Sequence, residues 1–368
     1  MTQVKRVAGW ILGFVGFAAA LLLAWRVFTQ SLDLFDGLFN DPSKASTIDL
    51  FTEALYIGIA AMGLNILTGY NGQVSIGHGA FFGVGAYASA ILMFDHGWAY
   101  LPTLPIAGLI CLVVGILVGI PALRVKGLYL ALVTLGLAVV FPDLTKRFVD
   151  GTGGTNLISL KTEQISPPYW YDWFPDFIAD PLTDYVGSRD QWAFWLAVAV
   201  AVATIVTVWF ISRSRFGRAL IAVRDHESAA VTVGVNNARV KVSAFAISAF
   251  FAGLAGSLSV LVSRLANAGK VETFQLSILL LVAVVVGGTA TVWGPMLGAF
   301  VVVFAQDYID EQDTLTDLLD PPRAKLMSPA LFGIALIILM YVLPDGIVGG
   351  ARRGLRSLSR RRAAPIDA

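Results

Sequence analysis

The sequence predicts an all-α integral membrane protein of about ten transmembrane helices. Three observations predict it: a scarcity of charge, the length of the apolar blocks, and the way basic and acidic residues alternate between those blocks. Of 368 residues, 57% are hydrophobic and only 14% charged. A soluble domain carries about a quarter charged residues, so this chain lacks the polar material to cover a water-facing surface. The apolar residues fall in blocks of roughly 18–22, enough to cross about 30 Å of hydrocarbon at about 1.5 Å per helical residue. A single block fits a buried core helix; a long succession of them does not.

The first block, 7–28, follows Lys5 and Arg6 as a signal peptide would. It is too long for the apolar stretch of such a peptide and reads as a retained span. With the loop after it, it forms an N-terminal unit, 1–47. The main transmembrane domain, 48–350, is predicted to hold spans at 48–69, 74–94, 102–121, 128–147, 191–211, 242–264, 274–293, 295–310 and 327–345, and a basic tail follows at 351–368. Pro142 and Pro295 lie in or beside spans. Both are tolerated in membrane helices, where neighbouring groups re-satisfy the freed carbonyls.

Formal net charge is only +1, so the distribution carries the information. With Lys5 and Arg6 cytoplasmic, the inner connections hold Arg124 and Lys126, then Arg213, Arg215, Arg218, Arg224, Arg239 and Lys241. The tail adds Arg352, Arg353, Arg356, Arg360, Arg361 and Arg362. The outer connections hold Asp33, Asp36 and Asp41, the acid-rich loop 149–190, and Asp310, Glu311, Asp313, Asp317 and Asp320. Excess Lys and Arg mark the cytoplasmic side, so both termini are expected inside. Lys146 and Arg147 are the exceptions, with Asp143 at helical spacing to pair with them. The outer loop carries Tyr169, Trp170, Tyr171 and Trp173 among four prolines. It reads equally as an interfacial aromatic belt and as a docking surface for an extracytoplasmic partner. Spans 48–69 to 128–147 and spans 242–264 to 327–345 form two four-helix groups of opposite orientation, the arithmetic of an inverted repeat.

No catalytic constellation stands out. Cys111 is the single cysteine, which excludes an internal disulfide, and it falls in the register Ala107, Cys111, Gly115, Gly119, a packing face. His78, His96 and His226 are scattered. His226-Glu227-Ser228-Ala229-Ala230 begins like a zinc-protease motif but lacks the second histidine. Gly151-Thr152-Gly153-Gly154 is not followed by Gly-Lys-Ser/Thr, so the chain has no phosphate-binding P-loop.

Small residues form stripes at spacing four: Ser75, Gly79, Gly83 in one span, and Ala244, Ser248, Ala252, Gly256 beside Ala249, Gly253, Ser257 in another. Such stripes let helix backbones approach closely where lipid supplies no hydrophobic drive. Asn65, Thr68, Ser75, His78, Thr134 and Thr289 are the candidate lining of a polar pathway, with helix–helix hydrogen bonding the alternative for each. Few acids or bases lie deep in the bilayer, and Glu53 is about a turn from a span end, which argues against ion coupling. Segment 212–241 is the most distinctive stretch. Its basic residues fit an inner loop, and Asp225 as N-cap with Gly234 as the residue after the last turn would bracket a short helix.

Phe216-Gly217-Arg218-Ala219, Ala222-Val223-Arg224, Glu227, Ala230, Gly234, Lys241 and Ala244-Phe245 run into Ser248-Ala249 and Ala252-Gly253-Leu254-Ala255-Gly256. This pattern closely resembles the branched-chain amino-acid ABC transporter permeases of the LivM type. Gly77-His78-Gly79-Ala80-Phe81-Phe82, Gly85-Ala86-Tyr87, Thr134-Leu135-Gly136, Thr152-Gly153-Gly154, Val286-Gly287-Gly288, Gly294-Pro295 and Pro344-Asp345-Gly346 agree in order, so the likeness spans about residues 50–350. The resemblance implies a type II ABC importer-like permease of the bacterial inner membrane that moves branched-chain or related amino acids. It also implies a second homologous permease, two ATPase subunits and an extracytoplasmic solute-binding protein, with no nucleic acid. ATP and Mg would sit on the partner subunits and no cofactor on this chain. Gly217, Arg218, Arg224, Glu227, Ala230 and Gly234 occupy the positions of the element that couples to the ATPase. Thr155-Asn156-Leu157 departs from the Pro-Asn-Gly run common after Thr-Gly-Gly in the family. Urea and short-amide permeases share most of these glycine motifs, so the same machine carrying such an amide is one alternative. A stand-alone channel or secondary carrier is another.

Overall fold

In hydrocarbon every backbone polar group must be satisfied within the protein, and a helix does this within its own segment. The computed structural model follows that rule. It describes residues 44–123, 128–148, 157–160, 165–166, 168, 188–267, 272–310, 333–334, 337 and 346–350. Helix α1 (Lys44–Asn65) runs into a single π-helical turn, Ile66–Tyr70; α2 (His78–Phe94), α3 (Tyr100–Ala122) and α4 (Leu128–Phe148) follow. Helix α5 (Ser188–Arg213) leads to two short helices, α6 (Arg215–Asp225) and α7 (Glu227–Thr232). Then come α8 (Asn237–Ser263), α9 (Glu272–Gly287) and α10 (Gly294–Asp310). Among the described residues, four helical stretches are long and apolar enough to cross a membrane, Ile48–Tyr70, Tyr100–Pro121, Asp190–Arg213 and Asn237–Ser263. Shorter apolar helices are His78–Phe94, Tyr129–Thr145, Thr273–Gly287 and Gly294–Asp307.

The predicted spans 7–28 and 327–345, the tail and most of the 149–190 loop lie outside the described residues, apart from Gly333, Ile334 and Ile337 of the last span. Three expectations are corrected. The span placed at 74–94 becomes helical only at His78, because residues 71–77 are irregular chain. The span placed at 274–293 ends at Gly287, where Gly288 turns at φ +115° and the non-glycine Ala290 at φ +55°. Hydropathy continues through both breaks, so composition hides them. The fold is also not purely helical. A short antiparallel ribbon pairs β1 (Leu157–Ser159) with β2 (Leu265–Asn267), Leu157 opposite Asn267 and Ser159 opposite Leu265.

Helix α8 is the centre of the bundle and packs against α1, α2 and α3. Its small-residue face explains how. Ala244, Ser248, Ala249, Ala252, Gly253, Gly256 and Ser257 are all buried. A Cβ on Gly253 would fall 2.6 Å from the Cβ and Sγ of Cys111 in α3, and one on Gly256 would collide with the Phe82 carbonyl of α2. The register Ala107, Cys111, Gly115, Gly119 thus forms the facing half of the α3–α8 seam. On α10, Phe304 packs edge-on to Phe51 of α1 at 4.9 Å. Conversely, Leu109, Val113 and Leu117 of α3 and Leu132, Val133, Val139 and Val140 of α4 are exposed. Stripes of that kind suit lipid and not water. The α6–α7 pair precedes α8 and the ribbon follows it, so these features occupy opposite ends of a helix of 27 residues, about 40 Å at about 1.5 Å per residue.

Candidate functional site

Helix α6 begins where Ser214 accepts a hydrogen bond from the amide of Gly217 at 3.1 Å, an N-cap one residue beyond α5. Gly217 lies against the carbonyls of Ile211 and Ser212, an approach that a side chain would block. Leu220 and Val223 bury the inner face of α6. Because the helical run reaches Asp225 unbroken, Asp225 closes α6 and does not cap the next helix, contrary to the sequence expectation. Helix α7 starts after His226 with no side-chain cap. Gly234 does stand where expected, just past α7 at φ +86°, with its amide on the Val231 carbonyl and that of Val235 on Ala230. Asn236 then caps α8 by accepting from the Arg239 amide at 3.1 Å.

Arg218, Arg224 and Glu227 of this element make contacts within the chain itself. The Arg224 guanidinium donates from Nη1 to the Gly69 carbonyl at 3.0 Å and from Nε to Asp225 at 2.9 Å. Glu227 takes Lys241 Nζ at 2.7 Å, and its carbonyl accepts from Asn237 at 2.8 Å, which fastens α7 to the start of α8. Arg218 reaches back to the Arg213 carbonyl at 3.2 Å, and Ala230 is buried. What α7 and its exit offer outward is Ser228, Ala229, Val231, Thr232 and Val233. Val231 is 55% and Val233 77% exposed, an apolar tip on an otherwise polar knob.

The six candidate pathway residues fall into two groups and one outlier. Asn65 faces the break after α9: its Nδ2 donates to the Thr291 carbonyl at 2.8 Å and its Oδ1 accepts the Ala290 amide at 2.9 Å. Thr68, in the π turn, donates to the Gln73 carbonyl at 3.2 Å. Around the start of α2, Thr134 of α4 accepts the Ile76 amide at 3.1 Å, and Ser75 and His78 are fully buried. Thr289 is exposed.

The partner of His78 was not among the candidates. Ser248, near the middle of α8, donates its one hydroxyl proton to the Gly63 carbonyl of α1 at 2.6 Å. The 2.7 Å contact between Ser248 Oγ and His78 Nε2 therefore requires the imidazole to donate from Nε2. That leaves Nδ1 a bare acceptor without a partner, as is the Ser75 hydroxyl three residues earlier. Ser277 of α9 was missed too; it accepts the Gly79 amide at 2.9 Å. Serine at the centre of a small-residue stripe was the available signal for Ser248; nothing in sequence pointed to Ser277. Among the described residues, no group of three or more His, Cys, Asp or Glu could hold a metal ion.

A bundle of apolar helices built on small-residue seams, with two broken helices inside it and a folded knob at one end, defines an integral membrane protein of the transporter class. The chain belongs to the family of permease components of the branched-chain amino acid transport system, which matches residues 46–343, and is the membrane-spanning permease subunit of an ATP-binding-cassette importer. It is 30% identical over 326 residues to the high-affinity branched-chain amino acid transport system permease protein LivM of Escherichia coli, covering 84% of this chain and 72% of that protein. It is 24% identical to LivH of the same organism, covering 87% and 97%. The ribose import permease protein RbsC of Haemophilus influenzae is 30% identical over a shorter stretch, 47% of this chain and 50% of RbsC. No solved structure matches the chain.

Proposed function

We propose that this permease moves branched-chain or closely related amino acids inward across the bacterial inner membrane, driven by ATP bound to partner subunits. The observation that carries the reading is the family match across nearly the whole transmembrane domain, joined to a rigid α6–α7 knob at one end of the bundle. Arg213, Arg215, Arg218, Arg224 and Arg239 cluster at that end, which supports a cytoplasmic placement by the positive-inside rule. The knob is the docking element for an ATPase. Gly217, Ala230 and Gly234 give it its shape, Arg224 and Glu227 fasten it, and Arg218 with the Val231–Val233 tip meets the partner.

The chain pairs with a second homologous permease, two ATPases and an extracytoplasmic solute-binding protein, and both termini lie inside. Ten spans in two inverted four-helix groups complete the topology. The packing of α1 on α8 and of α2 on α9 supports the repeat, since these are the first and second helices of each group. The pathway runs beside the two broken segments, because irregular backbone at membrane depth is tolerated where protein buries it or water lines it.

Competition uptake tests the substrate class. In vesicles holding the whole complex, labelled leucine uptake is expected to fall with excess valine or isoleucine and to ignore urea and ribose. Urea uptake without leucine uptake would move the chain to the amide branch.

A further inference from the structure

We infer that Asn65 is a positioning residue for transport: through Gly69 it ties the ATPase-docking element to the broken segment between α9 and α10. This rests on the import reading above and assigns the route by which the docking element reaches the connection between α9 and α10.

The geometry is a chain of three contacts. Arg224, the penultimate residue of α6, holds the Gly69 carbonyl at 3.0 Å, and its side chain lies over Gly72, where a Cβ would fall 2.7 Å from Arg224 Cγ. Gly69 in turn lies against the Asn65–Ala290 hydrogen bond. A Cβ at Gly69 would fall 2.6 Å from the Ala290 amide nitrogen and closer still to Asn65 Oδ1. Asn65 completes the path by gripping both the Ala290 amide and the Thr291 carbonyl. One residue without a side chain thus stands between the guanidinium on one side and the carboxamide on the other.

The segments joined are those able to change. Residues 66–70 form a single π turn, a rare form that recurs at functional sites inside α-helices. It is closed by the amides of Asn71 on Ile66 and Gly72 on Thr68, both at 3.2 Å, and of Gln73 on Leu67 at 3.0 Å. The far end holds Ala290 at φ +55°, an unfavourable backbone for a residue with a Cβ, fixed by the Asn65 carboxamide. An apolar spacer would suffice to fill space between α1 and the loop. A carboxamide that satisfies one donor and one acceptor of the loop backbone sets its position, and both atoms move with the turn that Arg224 grips.

The test uses the full complex of both permeases and two ATPases in proteoliposomes with the solute-binding protein, comparing wild type with N65L, R224Q and the double variant. Three quantities are read: co-purification of the ATPases, ATP hydrolysis, and substrate taken up per ATP. Because Arg224 is turned onto its own chain, R224Q is expected to assemble. In both single variants substrate taken up per ATP hydrolysed is expected to fall about tenfold, the range of an ordinary coupling energy. The double variant is expected to be no worse than either single one, since both break one path. Unchanged uptake per ATP, hydrolysis falling in step with uptake, or losses that multiply in the double variant would each overturn the inference. If N65L does not assemble, R224Q reads the same path from its exposed end, and normal coupling there overturns it. A wild-type complex without ATP-driven uptake removes the import reading and this inference with it; normal wild-type uptake with coupled variants removes the inference alone.

Discussion

Replacing Ser248 with alanine tests the interior of the bundle most sharply. The hydroxyl joins three helices at one point, donating to Gly63 of α1 at 2.6 Å and accepting from His78 of α2 at 2.7 Å. Removing one oxygen creates almost no cavity, so the effect is polar. Interhelical hydrogen bonds in membranes average about 0.6 kcal/mol and reach about 1.7 kcal/mol. Two of them are lost, and a fully buried imidazole is left with neither nitrogen paired. The expected cost is about 2 kcal/mol, or about thirtyfold in the unfolding equilibrium at about 1.4 kcal/mol per factor of ten. Reversible denaturation in mixed micelles measures it, and His78→Leu completes a cycle. In the leucine background only the Gly63 bond is at stake, so Ser248→Ala should there cost about 0.6 kcal/mol. If Ser248→Ala unfolds like wild type, or costs the same with and without His78, the three-helix junction is not what stabilises this crossing.

Other expectations follow from the same structure. Gly256→Leu drives a side chain into the Phe82 carbonyl; it should prevent assembly of the bundle or cost more than about 3 kcal/mol, seen as aggregation on size-exclusion chromatography. Val233→Asp charges a tip that is 77% exposed, so it should leave thermal stability unchanged while weakening ATPase co-purification about tenfold. Cys111, buried against Phe81 and the α8 backbone, should resist maleimide in the folded protein and react once unfolded; rapid labelling of the native protein would contradict the α3–α8 seam.

The helices were legible because their signal is length and apolarity, and the small-residue face of α8 because its period is that of a helix. Helix ends were less so. Val74 and Ile76 look like span residues, yet they sit in irregular chain whose Ile76 amide is satisfied by Thr134, fifty-eight positions away. The span read through 274–293 ends at Gly287, because Thr289 to Trp293 carry too little polarity to show the break. Asp225 has the chemistry of a cap and closes a helix instead, because Ser214 had already started one. At the site, residue type singled out Asn65 and Gly234, and the family resemblance singled out Arg224. Neither could reveal that Arg224 and Glu227 face their own chain, or that Asn65 grips a loop 225 positions later. Those partners are set by tertiary packing, which leaves no local mark.

The central claim is that this chain transports only as one part of an ATP-driven assembly. The most direct measurement is labelled leucine uptake into liposomes holding either the chain alone or the complete complex, with and without ATP on the ATPase side. Uptake only in the complete complex with ATP is the predicted result. Uptake by the chain alone, indifferent to ATP, would contradict it.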